Sequence, residues 1–152
     1  MELKCDPNIT TPVEYQGRTT RVGGRIALHQ AAQGGHLHIV KWLVEHCNCN
    51  PSHLDNERAT PLHMAVLWGH LEVMQYLTLE QHCDPMCVAK NNNTPLHVAA
   101  VGHLELVRFF IEVLHCPPDV RGWHNATPLD TARSQGHHHV IEYFESIHRK
   151  LE

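Results

Sequence analysis

One six-residue pattern occurs four times along the chain at nearly constant spacing. It reads Thr-Pro-Leu-His-x-Ala at Thr60–Ala65 and Thr94–Ala99, is altered at Thr127–Ala132, and has a degenerate copy at Ile26–Ala31. The leucines of the four copies occupy positions 28, 62, 96 and 129, so the period is 34, 34 and 33 residues. Repetition at this period indicates a stacked array, in which each unit buries its apolar face against its neighbours. The pattern therefore predicts the architecture and favours binding over catalysis.

The second copy shows why the sequence of each unit predicts two short helices. Thr60 is a favourable N-cap, and Pro61 suits the first helical position, where no backbone N–H is needed. Apolar residues recur at helical spacing up to Gly69, which suits the left-handed conformation at a helix end. His70 then begins a second helix with the same apolar spacing. Helices of about nine to twelve residues are marginal alone in water, so stacking must hold them.

The segments between successive helix pairs carry residues typical of turns. Asp84 and Pro85 follow one pair, and the run Asn91–Asn93 precedes the next Thr-Pro. Because Pro, Asn and Asp favour turns, these segments predict projecting loops and no further long element.

The chain resembles the ankyrin-repeat family, whose pattern is T-P-L-H-x-A-A-x-x-G-H followed by V-V-x-x-L-L. Residues 60–77 and 94–111 carry the pattern most fully, and the resemblance covers roughly residues 22–149. It implies an all-α solenoid of about four stacked helix-turn-helix units with projecting hairpin-like loops. It also implies a protein-binding module that is not an enzyme.

Departures from the pattern distinguish the individual units. The third unit is one residue shorter between Thr94 and His103, which predicts a shortened first helix or a tighter turn. The first unit lacks Thr-Pro and should begin less firmly. In the last unit Asp130 replaces the motif histidine, and Glu145 stands where an apolar residue would meet a further repeat. A polar outer face is what a capping repeat requires.

The repeat boundaries divide the chain into three parts. We assign residues 22–149 to the repeat domain, residues 1–21 to an N-terminal segment or irregular cap, and residues 150–152 to a tail. Cys5-Asp6-Pro7 repeats the sequence Cys83-Asp84-Pro85, which ends a unit. Two explanations fit this echo: the chain is a piece of a longer array, or it carries an irregular cap.

Charge and hydropathy exclude several classes of partner. The net charge is −4 with neutral histidines, and Lys plus Arg total 12, which gives no basic footprint for nucleic acid or an anionic membrane. No apolar run approaches the roughly 18 residues that span a bilayer, and the first residues contain no secretory signal. We therefore expect an intracellular, cytoplasmic monomer with a protein partner.

The six cysteines do not predict a disulfide framework. Cys49, Cys83 and Cys116 each precede the next motif leucine by 13 residues, so they are equivalent positions of successive repeats. Neighbouring helices lie about 8–10 Å apart, whereas bridged Cα atoms need about 4.4–6.8 Å. We expect free thiols in a reducing compartment and folding without disulfides.

Sixteen histidines suggest a metal site until they are placed on the repeat. Ten occupy the Leu-His motif, the Gly-His turns or the ends of second helices, and the resemblance implies a structural role for the motif set. A zinc site needs about four convergent ligands, and no second pair lies at suitable spacing. We expect no metal and no cofactor. Protonation of motif histidines that are buried and neutral should also lower the stability of the fold below about pH 6.

Aromatic residues fall into two groups. Trp42, Tyr76, Phe109 and Tyr143 recur with the repeat on second helices, which predicts packing between repeats. Trp68, at the end of a first helix, and Trp123, in a loop, do not follow the period. Exposed aromatic residues are typical anchors of protein interfaces.

The resemblance places the binding surface on the loop tips and on the concave face of the first helices. The candidate contact residues that this implies are Arg25, Gln33, Asn56, Glu57, Ala59, Leu67, Trp68, Lys90, Asn91, Asn93, Val101, Trp123, His124, Ser134 and Gln135. Two alternatives remain open: a structural segment of a longer array with no dedicated partner, or a metal-dependent or hydrolytic enzyme that uses the abundant His and Cys.

Overall fold

The computed structural model describes residues 7–8, 14–15, 18–19 and 23–152. These residues form two compact units, which are divided between Cys83 and Asp84. Most of the predicted N-terminal segment lies outside the described residues, so the boundary at residue 22 stays a prediction. Within that segment, strand β1 (Glu14–Tyr15) pairs antiparallel with β2 (Arg18–Thr19).

The first unit contains two helix-turn-helix repeats. Its helices are α1 (Ala27–Gly34), α2 (Leu37–Glu45), α3 (Pro61–Leu67) and α4 (Leu71–Gln75), the last continued by a π-helical turn over Tyr76–Glu80. First helix packs on first helix, α1 against α3, and second on second, α2 against α4.

The second unit repeats this arrangement. Its helices are α5 (Pro95–Ala99), α6 (Leu104–Arg108) with a π-helical turn over Phe109–Val113, α7 (Pro128–Gln135) and α8 (His138–Leu151), and a short 3₁₀ turn covers Trp123–Asn125. Here α5 packs against α7 and α6 against α8. The helical repeats and projecting loops confirm the predicted fold class.

Threonine and histidine together close the N-terminus of the first helices. In α3 the Thr60 hydroxyl accepts a hydrogen bond from the backbone N–H of His63, as an N-cap should. The His63 ring Nδ1 lies 3.2 Å from the backbone nitrogen of Thr60 and accepts its N–H. In α5 the Thr94 N–H likewise donates to His97 Nδ1 at 3.2 Å, and the Thr94 hydroxyl lies 3.0 Å from the same nitrogen. Since α1 has no threonine, only the Ile26 N–H to His29 Nδ1 bond remains there, at 3.3 Å.

The other ring nitrogen of the motif histidine reaches the adjacent loop. His29 Nε2 lies 3.1 Å from the carbonyl oxygen of Ala59, and His97 Nε2 lies 3.1 Å from that of Ala126. Because Nδ1 already accepts a backbone N–H, the neutral ring carries its proton on Nε2 and donates it to the carbonyl. One imidazole therefore caps its own helix and binds the loop of the next repeat.

The Gly-His turns form a second contact between repeats. His70 Nε2 lies 2.9 Å from the carbonyl oxygen of Gln33, and the imidazole packs against Gly35. A Cβ at Gly35 would lie 2.5 Å from His70 Nδ1, and Gly35 has a φ of +71°. His137 lies against Gly102 in the same way. The glycine therefore serves both the left-handed turn and the close approach of the next histidine.

Two details differ from the expectations. The first helices are shorter than about nine residues, and α5, in the unit that lacks one residue, is the shortest with 5. The second helices of the two middle repeats end in π-helical turns, which residue periodicity does not reveal. Three of the second helices are followed by a left-handed residue: Asn48, His82 and His115.

The last repeat caps itself without a histidine. The Asp130 carboxylate accepts the backbone N–H and the hydroxyl of Thr127, both at 2.9 Å. These two hydrogen bonds lower the pKa of Asp130. Glu145 pairs with Arg133 at 2.9 Å on the surface. Both residues therefore satisfy their polar groups within the repeat; that this repeat caps the array stays a prediction.

Motif leucines should carry much of the folding stability. Leu96 is fully buried, so Leu96→Ala should cost about 2–5 kcal/mol through lost burial and the cavity it leaves. Val113 is 50% exposed, and Val113→Ala should stay within about 0.5 kcal/mol. Urea unfolding followed by circular dichroism measures both, and equal losses of stability would contradict the assignment of Leu96 to the core.

Acid should weaken the fold. Burial lowers the pKa of His29 and of His97 below the ordinary value of 6.5. The neutral rings therefore stabilise the fold fully above pH 6.5, and this contribution falls as the pH drops toward the folded-state pKa.

We expect a lower melting temperature at pH 5.5 than at pH 7.5. The exposed His138 provides the control, since His138→Gln should leave this pH dependence unchanged. Equal melting temperatures at the two pH values would show that the motif histidines do not resist protonation.

Candidate functional site

Three hairpin loops project between the helix pairs. We name them finger 1 (residues 55–59), finger 2 (residues 89–93) and finger 3 (residues 122–126). In each finger the first backbone N–H donates to the last carbonyl, at 2.9, 3.1 and 2.9 Å respectively. Each tip also contains a left-handed residue at the fourth position: Arg58, Asn92 and Asn125. The tips are therefore tight turns, and hydrogen bonds fix the backbone that carries their side chains.

Finger 1 is organised by a buried aspartate. The side chain of Asp55 is fully buried and accepts the backbone N–H groups of Glu57 and Ala59 at 2.9 and 2.8 Å. Arg25 Nε lies 3.3 Å from the same carboxylate. Because the Asp55 carboxylate is shielded from water, losing Arg25 would leave a buried charge without its ion-pair partner.

This network decides the role of several candidate residues. Arg25 Nη1 also lies 3.3 Å from the Gln33 side-chain oxygen, so the structure brings these two candidates together. Ala59 is buried, and its carbonyl accepts the proton of His29. Arg25 and Ala59 therefore support finger 1. Sequence reasoning missed Asp55, although the Asp-x-x-x-Ala turn could have suggested it.

Finger 3 presents an exposed tryptophan on an anchored backbone. Trp123 is 61% exposed, and its backbone N–H donates to Asn93 Oδ1 at 2.9 Å. Its ring lies 4.4 Å from the ring of His124, and Arg121 donates to the carbonyl of Asn125 at 3.0 Å. The indole is thus exposed although the segment that carries it is held in place.

Gly122, at the base of finger 3, is packed too closely to accept a side chain without a shift of its neighbours. A Cβ at this position would contact Asn93 Oδ1 and would lie 2.7 Å from His97 Nε2. The side chain of His97 is itself held by Thr94 and Ala126. The base of finger 3 therefore packs directly on the imidazole of His97.

The remaining candidates lie at exposed positions of their own units. In the first unit Leu67 and Trp68 end α3 and are 47% and 57% exposed, and Asn56 and Glu57 lie at the tip of finger 1. In the second unit the exposed candidates are Lys90, Asn91, Val101, His124, Ser134 and Gln135, whereas Asn93 is half-buried. Ser134 donates its hydroxyl proton to the Thr131 carbonyl at 2.8 Å.

The aromatic column on the second helices has a defined chemistry. The Tyr76 hydroxyl donates to Glu45 at 3.2 Å, and the Tyr143 hydroxyl donates to Glu112 at 2.7 Å. Burial and the neighbouring glutamate raise the pKa of each tyrosine to about 12. The prediction of packing between repeats is therefore correct for these two tyrosines. The prediction is wrong for Trp42, which is 55% exposed.

Metal-binding side chains do not converge in the described part of the chain. No three of its His, Cys, Asp and Glu side chains are placed to hold a metal ion. A cavity of about 330 Å³ adjoins Gly69 and His70, and one of about 230 Å³ adjoins Gly136 and His137. Both belong to the Gly-His turns described above. None of the helices described is long and apolar enough to cross a membrane.

Comparison with known families agrees with this geometry. The family model described as ankyrin repeats (3 copies) matches residues 3–87 and 74–147. The chain belongs to the ankyrin-repeat family. Ankyrin repeats are in general a non-enzymatic fold for protein–protein interaction. A comparison with curated proteins gave no match.

The thiols of this ankyrin-repeat chain should differ in reactivity. Among the described cysteines, Cys83 and Cys116 are buried, whereas Cys47 and Cys87 are half-buried. Burial raises the pKa of Cys83, and burial with the charge of Asp84 raises that of Cys116 to about 11.

Since the thiolate is the reactive form, iodoacetamide at pH 7.5 should label Cys47 and Cys87 well before Cys83 and Cys116. Peptide mass spectrometry over a time course measures the order. Labelling of all four at equal rates in the folded chain, with the urea-unfolded chain as control, would contradict it.

Proposed function

We propose that this ankyrin-repeat chain binds a protein partner through its finger tips and the exposed ends of its first helices. The observation that carries the proposal is Trp123: a large apolar side chain, 61% exposed, on a turn whose backbone is hydrogen-bonded to the neighbouring finger. Because this backbone is already ordered, little backbone entropy is lost when a partner covers the indole.

Tryptophan is also the residue type from which interface anchors are most often made. Trp68 supports the proposal from the first unit, where it is exposed beside the exposed Leu67. The polar residues at the finger tips supply the hydrogen-bonding rim that commonly surrounds such anchors. Within this proposal Trp68 and Trp123 are the anchors, and Asn56, Lys90 and Asn91 belong to the rim.

The experiment compares exposed tryptophans on different surfaces. Wild type and the variants Trp68→Ala, Trp123→Ala and Trp42→Ala are immobilised, and proteins captured from a cell lysate are quantified by mass spectrometry. Trp42 is the matched control because it is a similarly exposed tryptophan on a second helix. A partner of the proposed surface is retained by wild type and Trp42→Ala and is lost from Trp123→Ala.

Binding of each variant to the purified partner then measures the loss of affinity. Truncating a central anchor should weaken binding by about 2 kcal/mol or more, while melting temperatures should barely change. If Trp68→Ala and Trp123→Ala melt as low as Leu96→Ala, both tryptophans are core residues and the proposed surface is wrong. A partner that is retained equally by all variants would also reject it.

A further inference from the structure

Finger 3 lies directly on a buried imidazole. His97 is 1% exposed, and its Nε2 lies 3.1 Å from the carbonyl oxygen of Ala126, at the end of the finger. Gly122, at the start of the finger, is so close that a Cβ there would lie 2.7 Å from the same nitrogen. The two ends of finger 3 therefore cover the Nε2 side of the ring, whereas the Nδ1 side faces Thr94 of its own helix.

Finger 1 is attached to its histidine with the help of a carboxylate. His29 Nε2 lies 3.1 Å from the carbonyl oxygen of Ala59, and the first residue of this finger, Asp55, accepts two backbone N–H groups of the same turn. Burial lowers the pKa of His29; the Ala59 carbonyl and the charge of Asp55 oppose this shift, whereas His53 and Arg25 add to it. The Asp55 carboxylate therefore holds the turn in addition to the imidazole and offsets a positive charge on it.

In finger 3 the position of Asp55 is taken by Gly122, and no carboxylate replaces it. Burial lowers the pKa of His97, and only the backbone carbonyls of Ala126 and Val120 oppose the shift. In the part of the second unit that the structure describes, the charged groups of the surrounding elements do not contribute to this shift. They include Glu105 and Arg108 on α6, Asp119, Arg121 and His124 at finger 3, and Asp130 and Arg133 on α7.

The tip of finger 3 also has the more strained backbone. Two successive residues, His124 and Asn125, are left-handed there with φ of 51° and 62°, whereas finger 1 has one such residue, Arg58, with φ of 59°. Left-handed backbone is unfavourable for residues that carry a Cβ, and it persists only where the surrounding contacts hold it. Loss of contacts at the base of finger 3 would therefore release more strain than the same loss in finger 1.

We propose that acid opens finger 3: protonation of His97 detaches the base of the finger from the imidazole, while the helices stay folded and finger 1 stays closed. A buried imidazolium without a carboxylate partner has to gain water. Movement of finger 3 uncovers the Nε2 side of the ring without breaking a helix, and such local openings cost less free energy than unfolding of a core. Trp123, which lies on this finger, then loses its fixed position.

The direction of the pH dependence follows from the burial of His97. Because burial holds its pKa below the ordinary value of 6.5, the closed finger is fully favoured well above pH 6.5. Below that value each pH unit shifts the equilibrium toward the open finger by about tenfold, until the folded-state pKa is reached. Release of a partner in mild acid is the consequence; this consequence, unlike the opening itself, rests on the proposed function.

Hydrogen exchange at two equivalent amides tests the opening on the full chain. The N–H of Gly122 in finger 3 and that of Asp55 in finger 1 each donate to the last carbonyl of their finger at 2.9 Å, and both residues are buried. NMR measures their protection factors between pH 7.5 and 5.0, corrected for the intrinsic pH dependence of exchange, while circular dichroism follows the helices.

The protection factor of the Gly122 amide should fall by about tenfold per pH unit below pH 6.5, in step with the NMR titration of the His97 ring. The protection factor of the Asp55 amide should change by less than about twofold per pH unit, because its finger has the additional carboxylate. The helical signal should stay constant over the first tenfold loss of protection at Gly122.

Two variants assign the effect to one histidine. His97→Gln keeps a donor and an acceptor but does not titrate, so protection of Gly122 should no longer depend on pH. His124→Gln, at the exposed tip of the same finger, is the control and should leave the pH dependence unchanged. If His97→Gln does not fold, the two amides and the ring titration of the wild-type chain still decide.

Four outcomes would overturn the proposal. Protection of Gly122 could stay constant with pH, fall only together with the helical signal, fall as steeply as that of Asp55, or follow a midpoint other than that of the His97 ring. A pH dependence that persists in folded His97→Gln would overturn it as well. Because no partner enters these measurements, a failure of the proposed binding surface would leave the opening intact, and a failure of the opening would leave the binding surface untouched.

Discussion

The structure depends on the two nitrogens of the motif imidazole. Nδ1 accepts a backbone N–H at the start of a first helix, and Nε2 donates to the base of the adjacent finger, as at His29–Ala59 and His97–Ala126. One neutral ring thereby joins helix formation to stacking, which matters because helices of 5–8 residues do not persist alone. Protonation would place a hydrogen on Nδ1, which could then no longer accept the backbone N–H. The ring that joins the repeats therefore also limits the pH range over which the fold is stable.

Fingers 1 and 3 depend on these histidine hydrogen bonds. His29 holds the last carbonyl of finger 1, and His97 holds that of finger 3, whose base at Gly122 packs on the imidazole. Hydrogen bonds to the Asp55 carboxylate within finger 1, and from the Trp123 backbone N–H to Asn93 in the second unit, then fix the tips. The exposed side chains of the candidate surface are thus carried by backbone that core residues position, which is why changes at Trp123 should affect binding and changes at Leu96 should affect folding.

Local signals in the sequence predicted what local chemistry decides. Thr60, Pro61 and Gly69 marked the ends of a helix, and the missing residue after Thr94 marked the shortest first helix, because caps and turns depend on neighbours along the chain. Burial was less predictable. Repeat periodicity treats Trp42 and Tyr76 as equivalent, yet their exposure depends on whether another element covers them. Asp55 was missed for a related reason: its partner Arg25 lies 30 residues away, and no pattern within one repeat links them.

Within each unit, neighbouring repeats are joined at two separated places: at the base of a finger through a histidine, and on the second helices through a tyrosine and a glutamate. A single hydrogen bond would act as a pivot, about which one repeat could turn relative to the next. A second attachment on the other helix opposes that rotation, so each pair of repeats should resist torsion as well as separation. The angle between adjacent repeats is then a property set by side-chain bonds, and exchanging Glu45 or Glu112 for a shorter residue would be a way to loosen it without touching the first helices.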